Sequence, residues 1–152
     1  HLLDTGQVKN VGVSNFTTWR LREVLELDMV PIAVNQVEYH VYLNQEKLRS
    51  DCTANDITLV AYSPLAQGKL LKDEILTEIA AIYGKTTAQI ALRWLLQKEV
   101  AAIPRSQSPE RQIANFDLFD FSLSPKEIER IDDIEEILRV IGFWPGEFEK
   151  GE

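Results

Sequence analysis

Four times along the chain a short apolar run is followed by a stretch with helical periodicity, and this repetition constrains the fold more than any other feature. The runs cover residues 10–13, 32–35, 58–62 and 100–103. Helical patterns follow over 18–25 and 44–52, then over 73–83 and 87–97 after a glycine-containing loop, and over 109–116. In the first of these Trp19, Leu21, Val24 and Leu25 supply a buried face. Runs of four or five residues are too short and too uniformly apolar for a half-exposed antiparallel sheet, whose strands alternate. Apolar runs alternating with helices indicate parallel strands covered by helices.

Boundary signals support this reading. Thr86 and Gln89 form a capping box in which hydroxyl and carboxamide satisfy free amides at a helix start. Ser124, Pro125 and Glu127 combine a second box with proline at the first helical position. The helix they open is expected to carry Ile128, Ile131, Ile134 and Leu138 close to one stripe. Residues 2–6 read as the last turn of a helix closed by Gly6, so the chain is expected to open in mid-element. The tail from 142 to 152 holds Phe143, Trp144 and Phe148 without periodicity and is read as a loop or end.

Each apolar run delivers polar residues at its carboxyl end: Ser14 and Asn15, Gln36 and Glu38, Tyr62 and Ser63, Arg105 and Ser106. A βα barrel of eight strands builds its one active site from polar groups gathered in this way. Four units make half of such a barrel, with two open strand edges and an uncovered interior face. The expected fold is therefore α/β, the C-terminal half of a (β/α)8 TIM barrel. Residues 1–152 would form one partial domain, completed by a half preceding His1 or by a second copy.

The 152 residues, 45% of them hydrophobic, suffice for one core. A net charge of -8 argues against nucleic acid and anionic lipid as partners while leaving room for one local basic site. A single cysteine, Cys52, excludes an internal disulfide and points to a reducing, cytoplasmic setting. No apolar run approaches the roughly 20 residues of a membrane span, and the start does not resemble a signal peptide.

The stretch from Ile103 to Arg111, IPRSQSPER, concentrates anion-binding groups. Ser108 suits an N-cap and Pro109 the first helical turn, so a helix amino end with its free amides faces the strand terminus. Arg105 and Arg111 add guanidiniums able to grip a phosphate in bidentate fashion. The same residues also suit a plain capped helix whose arginines pair with Glu110 or Asp117. Tyr62 could present its ring to a flat heterocycle, with Ser63, Gln67 and Lys69 meeting phosphates, or could simply pack into the core. Ser14, Asn15 and Gln36 suit a carboxamide ligand, and also suit ordinary turns. With only His1 and His40 present, a histidine-based metal site is not expected, and His40 is read as structural. Cys52 has no basic neighbour to make it a thiolate nucleophile. The acidic run 132–136 is read as a solvated helix face.

Taken together, Val11-Gly-Val-Ser-Asn-Phe16, Val34-Asn-Gln-Val-Glu-Tyr-His40, Ala61-Tyr-Ser-Pro-Leu65, Ile103-Pro-Arg-Ser106 with Glu110-Arg111 and Asn115-Phe116, and Phe119-Asp-Phe-Ser-Leu-Ser124 closely resemble the aldo-keto reductase family. The likeness runs from about Gly6 to Ile134, in order and at family spacing. It implies a βα barrel that binds NADP(H) in extended form and reduces aldehydes and ketones to alcohols. By matching position, Ser14, Asn15 and Gln36 would hold the nicotinamide carboxamide, with Tyr62 stacked on the ring. Ser63, Leu65 and Gln67 would line the pyrophosphate. Arg105, Ser106, Ser108 and Arg111 would grip the 2′-phosphate, with Asn115 near the adenine. Phe143 and Trp144 fall where the family has its variable substrate loop. Ala66-Gln-Gly-Lys69 looks most like the bacterial diketogluconate and methylglyoxal reductase branch.

The chain departs from the pattern in three ways. No segment matches the family's catalytic tyrosine, lysine, aspartate and histidine, which lie in the first half of the barrel, so no catalytic residue is expected here. Arg105 stands where lysine is usual, and Val41 replaces the usual proline after the histidine. Two other roles fit the same barrel: an NADP-binding regulatory subunit, as in relatives that act as cofactor-sensing partners of channels, and a half-barrel that dimerises without catalysis.

Overall fold

The structure is a computed structural model that describes residues 2–27 and 29–142. Four parallel strands, β1 Val11–Ser14, β2 Ile32–Glu38, β3 Thr58–Tyr62 and β4 Ala101–Ala102, pair in the order β1-β2-β3-β4. Sequential parallel neighbours require a crossover each time, and helices supply it. These are α1 Thr18–Glu26, α2 Glu46–Ala54, the pair α3 Glu74–Tyr83 and α4 Thr87–Gln97, then α5 Pro109–Phe116 and α6 Pro125–Asp132. Both anticipated capping boxes form, at Thr86 with Gln89 and at Ser124 with Glu127. Gly6 closes the opening turns with a φ of 70°, its N–H donating to the Leu3 carbonyl.

Alternation along the strands separates two faces. Asn35, Val37, Leu59 and Ala61 turn toward the helices and are buried. There they meet Leu21, Leu48, Ile79, Ile90 and Leu95 in one core. Trp94 sits at its heart, its ring 5.7 Å from that of Tyr39. The opposite face is bare by comparison. Val34, Gln36, Val60 and Tyr62 are half-buried, while Gly12, Ser14, Thr58 and Ala101 are exposed. A parallel sheet ordinarily has both faces covered, so this is the interior wall of a barrel cut in half.

Beside shifts of one or two residues in β1 and α2, three boundaries differ from the sequence-based expectation in ways that bear on the site. β2 runs three residues further, which puts Gln36 and Glu38 on the strand itself rather than after it. β4 is only two residues long, although Ile103 N–H still donates to the Ala61 carbonyl. Pro104 has no N–H to continue the ladder. α6 stops at Asp132 and does not carry the stripe to Leu138. Ile134 and Leu138 pack on the core from an irregular segment instead, held where the Leu138 N–H meets the Tyr42 carbonyl.

The acidic run at its end is likewise not a uniform solvated face. Asp132 Oδ1 accepts from Trp94 Nε1, Lys98 Nζ and Asn44 Nδ2, at 3.0, 2.8 and 3.1 Å. Asp133, Glu135 and Glu136 are exposed, as expected.

Candidate functional site

Two groups of residues gather at the carboxyl ends of the strands. In the first, Ser14 Oγ and the Asn15 N–H both donate to the Gln36 carbonyl, at 3.0 and 2.9 Å, which ties the end of β1 to β2. The Tyr62 hydroxyl reaches from β3 to donate to Asn15 Oδ1 at 2.8 Å. These bonds set the polarity of what remains. Ser14 Oγ keeps acceptor capacity, Asn15 keeps its Nδ2 donors, and among the described residues the Gln36 carboxamide bonds to nothing. Tyr62 is half-buried rather than a core residue. Burial pushes its phenol pKa up, helped by the Glu38 charge and opposed in part by Arg139.

The second group lines a cleft of about 760 Å³ between the loop after β3 and the loop after β4. Ser63, Leu65, Gln67, Arg105, Ser106, Arg111 and Asn115 all border it. The loop after β3 bends sharply because Ser63, Ala66 and Gln67 hold left-handed φ values of 49°, 46° and 54°. Conformations of that kind cost non-glycine residues on the order of 1–3 kcal/mol each and concentrate at functional sites. The following segment, Ala66–Lys72, winds as kinked 3-10 turns where only a loop was expected.

Across the cleft stands the amino end of α5. Ser108 caps it by accepting from the Arg111 N–H, and its hydroxyl donates to Glu110. Ser108 is therefore committed to the cap and does not border the cleft. The alternative pairing of the arginines is not what forms. Glu110 turns to Ser108, and Asp117 is taken by Lys85 and Gln89. Among the described residues neither the Arg105 nor the Arg111 guanidinium pairs with a carboxylate, and both are exposed. Two cations beside a helix amino end are groups chemically suited to an anion.

Tyr62 and Ser63 are consecutive, so the two groups adjoin at the end of β3. The cleft also holds Thr86, Thr87 and Ala88, the amino end of α4. The capping box at Thr86 announced a helix start there, but its facing the cleft depends on a tertiary contact.

The other chemistry-bearing residues do not border the cleft. His40 is fully buried, with Nε2 3.0 Å from Glu38 Oε1. Cys52 is buried, and burial pushes its thiol up to about 11. Among the described residues no group of three or more metal-ligating side chains occurs, and no helix is long and apolar enough to cross a membrane. Phe143 and Trp144 lie outside the described residues.

The model of the aldo/keto reductase family matches residues 1–136. An aldo-keto reductase from Mycobacterium avium is 45% identical over 139 residues, covering 91% of this chain and 48% of that protein. Glyoxal reductase from Bacillus subtilis is 44% identical over 139 residues, covering 91% of this chain and 50% of that protein. The crystal structure of an aldo-keto reductase complexed with NADPH superimposes with a TM-score of 0.85 at 31% identity, covering 92% of this chain and 46% of that one. The chain thus spans about half the length of the relatives it matches. Half-length coverage agrees with four βα units and a bare inner wall: the chain belongs to the aldo/keto reductase family and folds as half of its (β/α)8 barrel.

Proposed function

We propose that this chain is the cofactor-gripping half of an NADPH-dependent aldo-keto reductase that reduces aldehydes and ketones. The observation that carries the reading is the pair of guanidiniums, without carboxylate partners among the described residues, at the amino end of α5, opening on a cleft that reaches Ser63, the neighbour of Tyr62. When bound, the reduced nicotinamide supplies the hydride that turns a carbonyl into an alcohol.

Arg105 and Arg111 hold the 2′-phosphate by charge-assisted bonds, with Ser106 beside them and Ser108 keeping the helix end in place. Asn115 serves the adenine, and Ser63, Leu65 and Gln67 follow the pyrophosphate. Tyr62 lies under the ring. The Asn15 donors, the Ser14 acceptor and the Gln36 carboxamide, unbonded among the described residues, match a primary carboxamide, which needs both donor and acceptor partners. The NADPH complex of a relative supports the choice of cofactor. A buried lone cysteine fits a reducing cytoplasm.

The proton that accompanies the hydride comes from a tyrosine outside these 152 residues, so this chain binds the cofactor and does not turn over. Fluorescence titration with NADPH and NADH tests the first claim, with preference for NADPH expected. NADPH-dependent carbonyl reduction by the 152-residue chain alone would overturn the second.

A separate observation supports a partner along the open edges. Trp19, which the helical pattern placed on the buried face of α1, is instead exposed, with Leu27, Met29 and Val30, on the β1 side, and Ile113, Phe116 and Phe119 are exposed on the β4 side. Apolar surface on both flanks suits the other half of the barrel, or a second copy in its place. Sedimentation of the chain at rising concentration distinguishes a self-associating half-barrel from one that stays monomeric.

A further inference from the structure

We propose that Glu38 is a positioning residue that fastens the segment Leu138 to Ile141 across the carboxyl ends of β2 and β3, making that segment a wall of the ring end of the site. The inference rests on the cofactor reading above and extends it to a residue and a segment that reading does not use.

Glu38 stands out on its own face of the sheet. It shares that face with Gln36, one register step earlier, and pairs in register with Tyr62. Both neighbours are half-buried, yet Glu38 is 1% exposed. What covers it comes from more than one hundred residues away. Glu38 Oε1 accepts the Val140 N–H at 2.7 Å, and Oε2 accepts the Ile141 N–H at 3.1 Å. The Leu138 N–H meets the Tyr42 carbonyl at 2.9 Å, which pins the segment a second time. Arg139 lies between these two fastenings, close enough for its charge to act on the Tyr62 hydroxyl.

A merely structural hydrogen bond with His40 does not account for this arrangement. His40 Nε2 occupies one side of Oε1 at 3.0 Å, and the remaining acceptor capacity goes to two successive backbone amides of one segment. Burial alone raises the carboxyl pKa, and the bonds from His40, Val140 and Ile141 more than reverse it, so the group stays ionised. The segment is irregular and among the described residues has few backbone bonds besides these, so its path depends on these contacts.

Glu38→Gln tests the proposal, because it preserves shape while replacing one acceptor oxygen by an NH2 that opposes an incoming N–H. Hydrogen exchange at the Val140 and Ile141 amides should quicken about tenfold or more, with α4 unchanged. Affinity for NADPH should fall about fivefold to tenfold, while adenosine 2′,5′-bisphosphate, which lacks the nicotinamide, binds as before. Unchanged exchange at the two amides overturns the fastening. Faster exchange with undiminished NADPH affinity overturns the wall. If the unaltered chain binds neither ligand, the cofactor reading fails and takes the wall with it, whereas exchange still decides the fastening. Val140→Pro removes one N–H without touching the buried pair and keeps the test open if Glu38→Gln does not fold. It should free the Ile141 amide and weaken NADPH in the same way.

Discussion

The Tyr62 hydroxyl lies 2.8 Å from Asn15 Oδ1, so a side chain at the end of β3 spans β2 and locks the residue that follows β1. Asn15 holds a left-handed φ of 58° there, a conformation asparagine tolerates better than most residues. The bond leaves the Asn15 Nδ2 donors unused by Tyr62, so the proposed stacking of the Tyr62 ring and the bond of its hydroxyl can be tested separately.

Tyr62→Phe keeps the ring and removes only the lock. It should weaken NADPH by about 0.5–1.5 kcal/mol, the net worth of one hydrogen bond. Tyr62→Ala removes the stacking surface as well and should cost about 0.5–1.5 kcal/mol more. Calorimetric titration of the three proteins separates the duties. Equal losses for Phe and Ala would mean that the ring contributes nothing.

Arg111 offers a sharper test of cofactor choice. Removing one charge-assisted contact costs about 1.5–3 kcal/mol, so Arg111→Ala should weaken NADPH roughly tenfold to a hundredfold. NADH carries no 2′-phosphate and should bind Arg111→Ala as it binds the unaltered chain. If both cofactors weaken equally, Arg111 does not serve the 2′-phosphate.

Much of this was legible in the sequence, and what was not has a physical reason. The extent of β3 and the boundaries of α4 and α5 follow from apolar runs and caps, which are local signals. The capped helix start could be read from Ser108 and Pro109, but local residues left open whether Glu110 and Asp117 would pair with the arginines. That depended on Lys85 and Gln89 claiming Asp117, a contact made across about thirty positions. The Asn15–Tyr62 bond and the Glu38 fastening join residues 47 and 102 positions apart. Pairing at such distances leaves no periodic trace. α6 ended early for a similar reason: the stripe through Ile134 and Leu138 is real, but Leu138 gives its N–H to the Tyr42 carbonyl rather than to a fourth-neighbour carbonyl.

Acid should loosen the joint between α2 and α4. The Arg49 guanidinium, above all, holds the Glu46 carboxyl down at about 2, against partial burial and with help from Lys98. A depressed folded-state pKa contributes stability that is complete above the ordinary value of 4.5 and is lost as pH falls toward about 2. Glu38 and Glu127 are depressed as well and act in the same direction. Urea midpoints measured from pH 6 down to pH 3.5 should therefore fall, and Glu46→Gln should fall less steeply. Parallel slopes for the two proteins would show that the Glu46 contacts are equally present in the unfolded chain.

Asp132 is where three elements are tied at one atom, since Oδ1 alone serves Trp94, Lys98 and Asn44. Lys98 Nζ has a second partner in Glu46 Oε2 at 3.0 Å, and the Tyr39 hydroxyl extends the network to Asn44 at 2.7 Å. Asp132→Asn keeps an acceptor for the indole and the Asn44 amide and removes only the charge facing Lys98. It should cost about 1 kcal/mol, because Lys98 retains Glu46. Asp132→Ala strands the buried indole N–H and leaves Asn44 short of a partner, so about 2–3 kcal/mol is expected. With an m-value of about 2 kcal/mol/M, the urea midpoint of Asp132→Ala drops by roughly 1–1.5 M at unchanged slope. A drop that is the same for Asn and Ala would put the whole effect in the charge, and the hydrogen bonds to Trp94 and Asn44 would then carry no net stability.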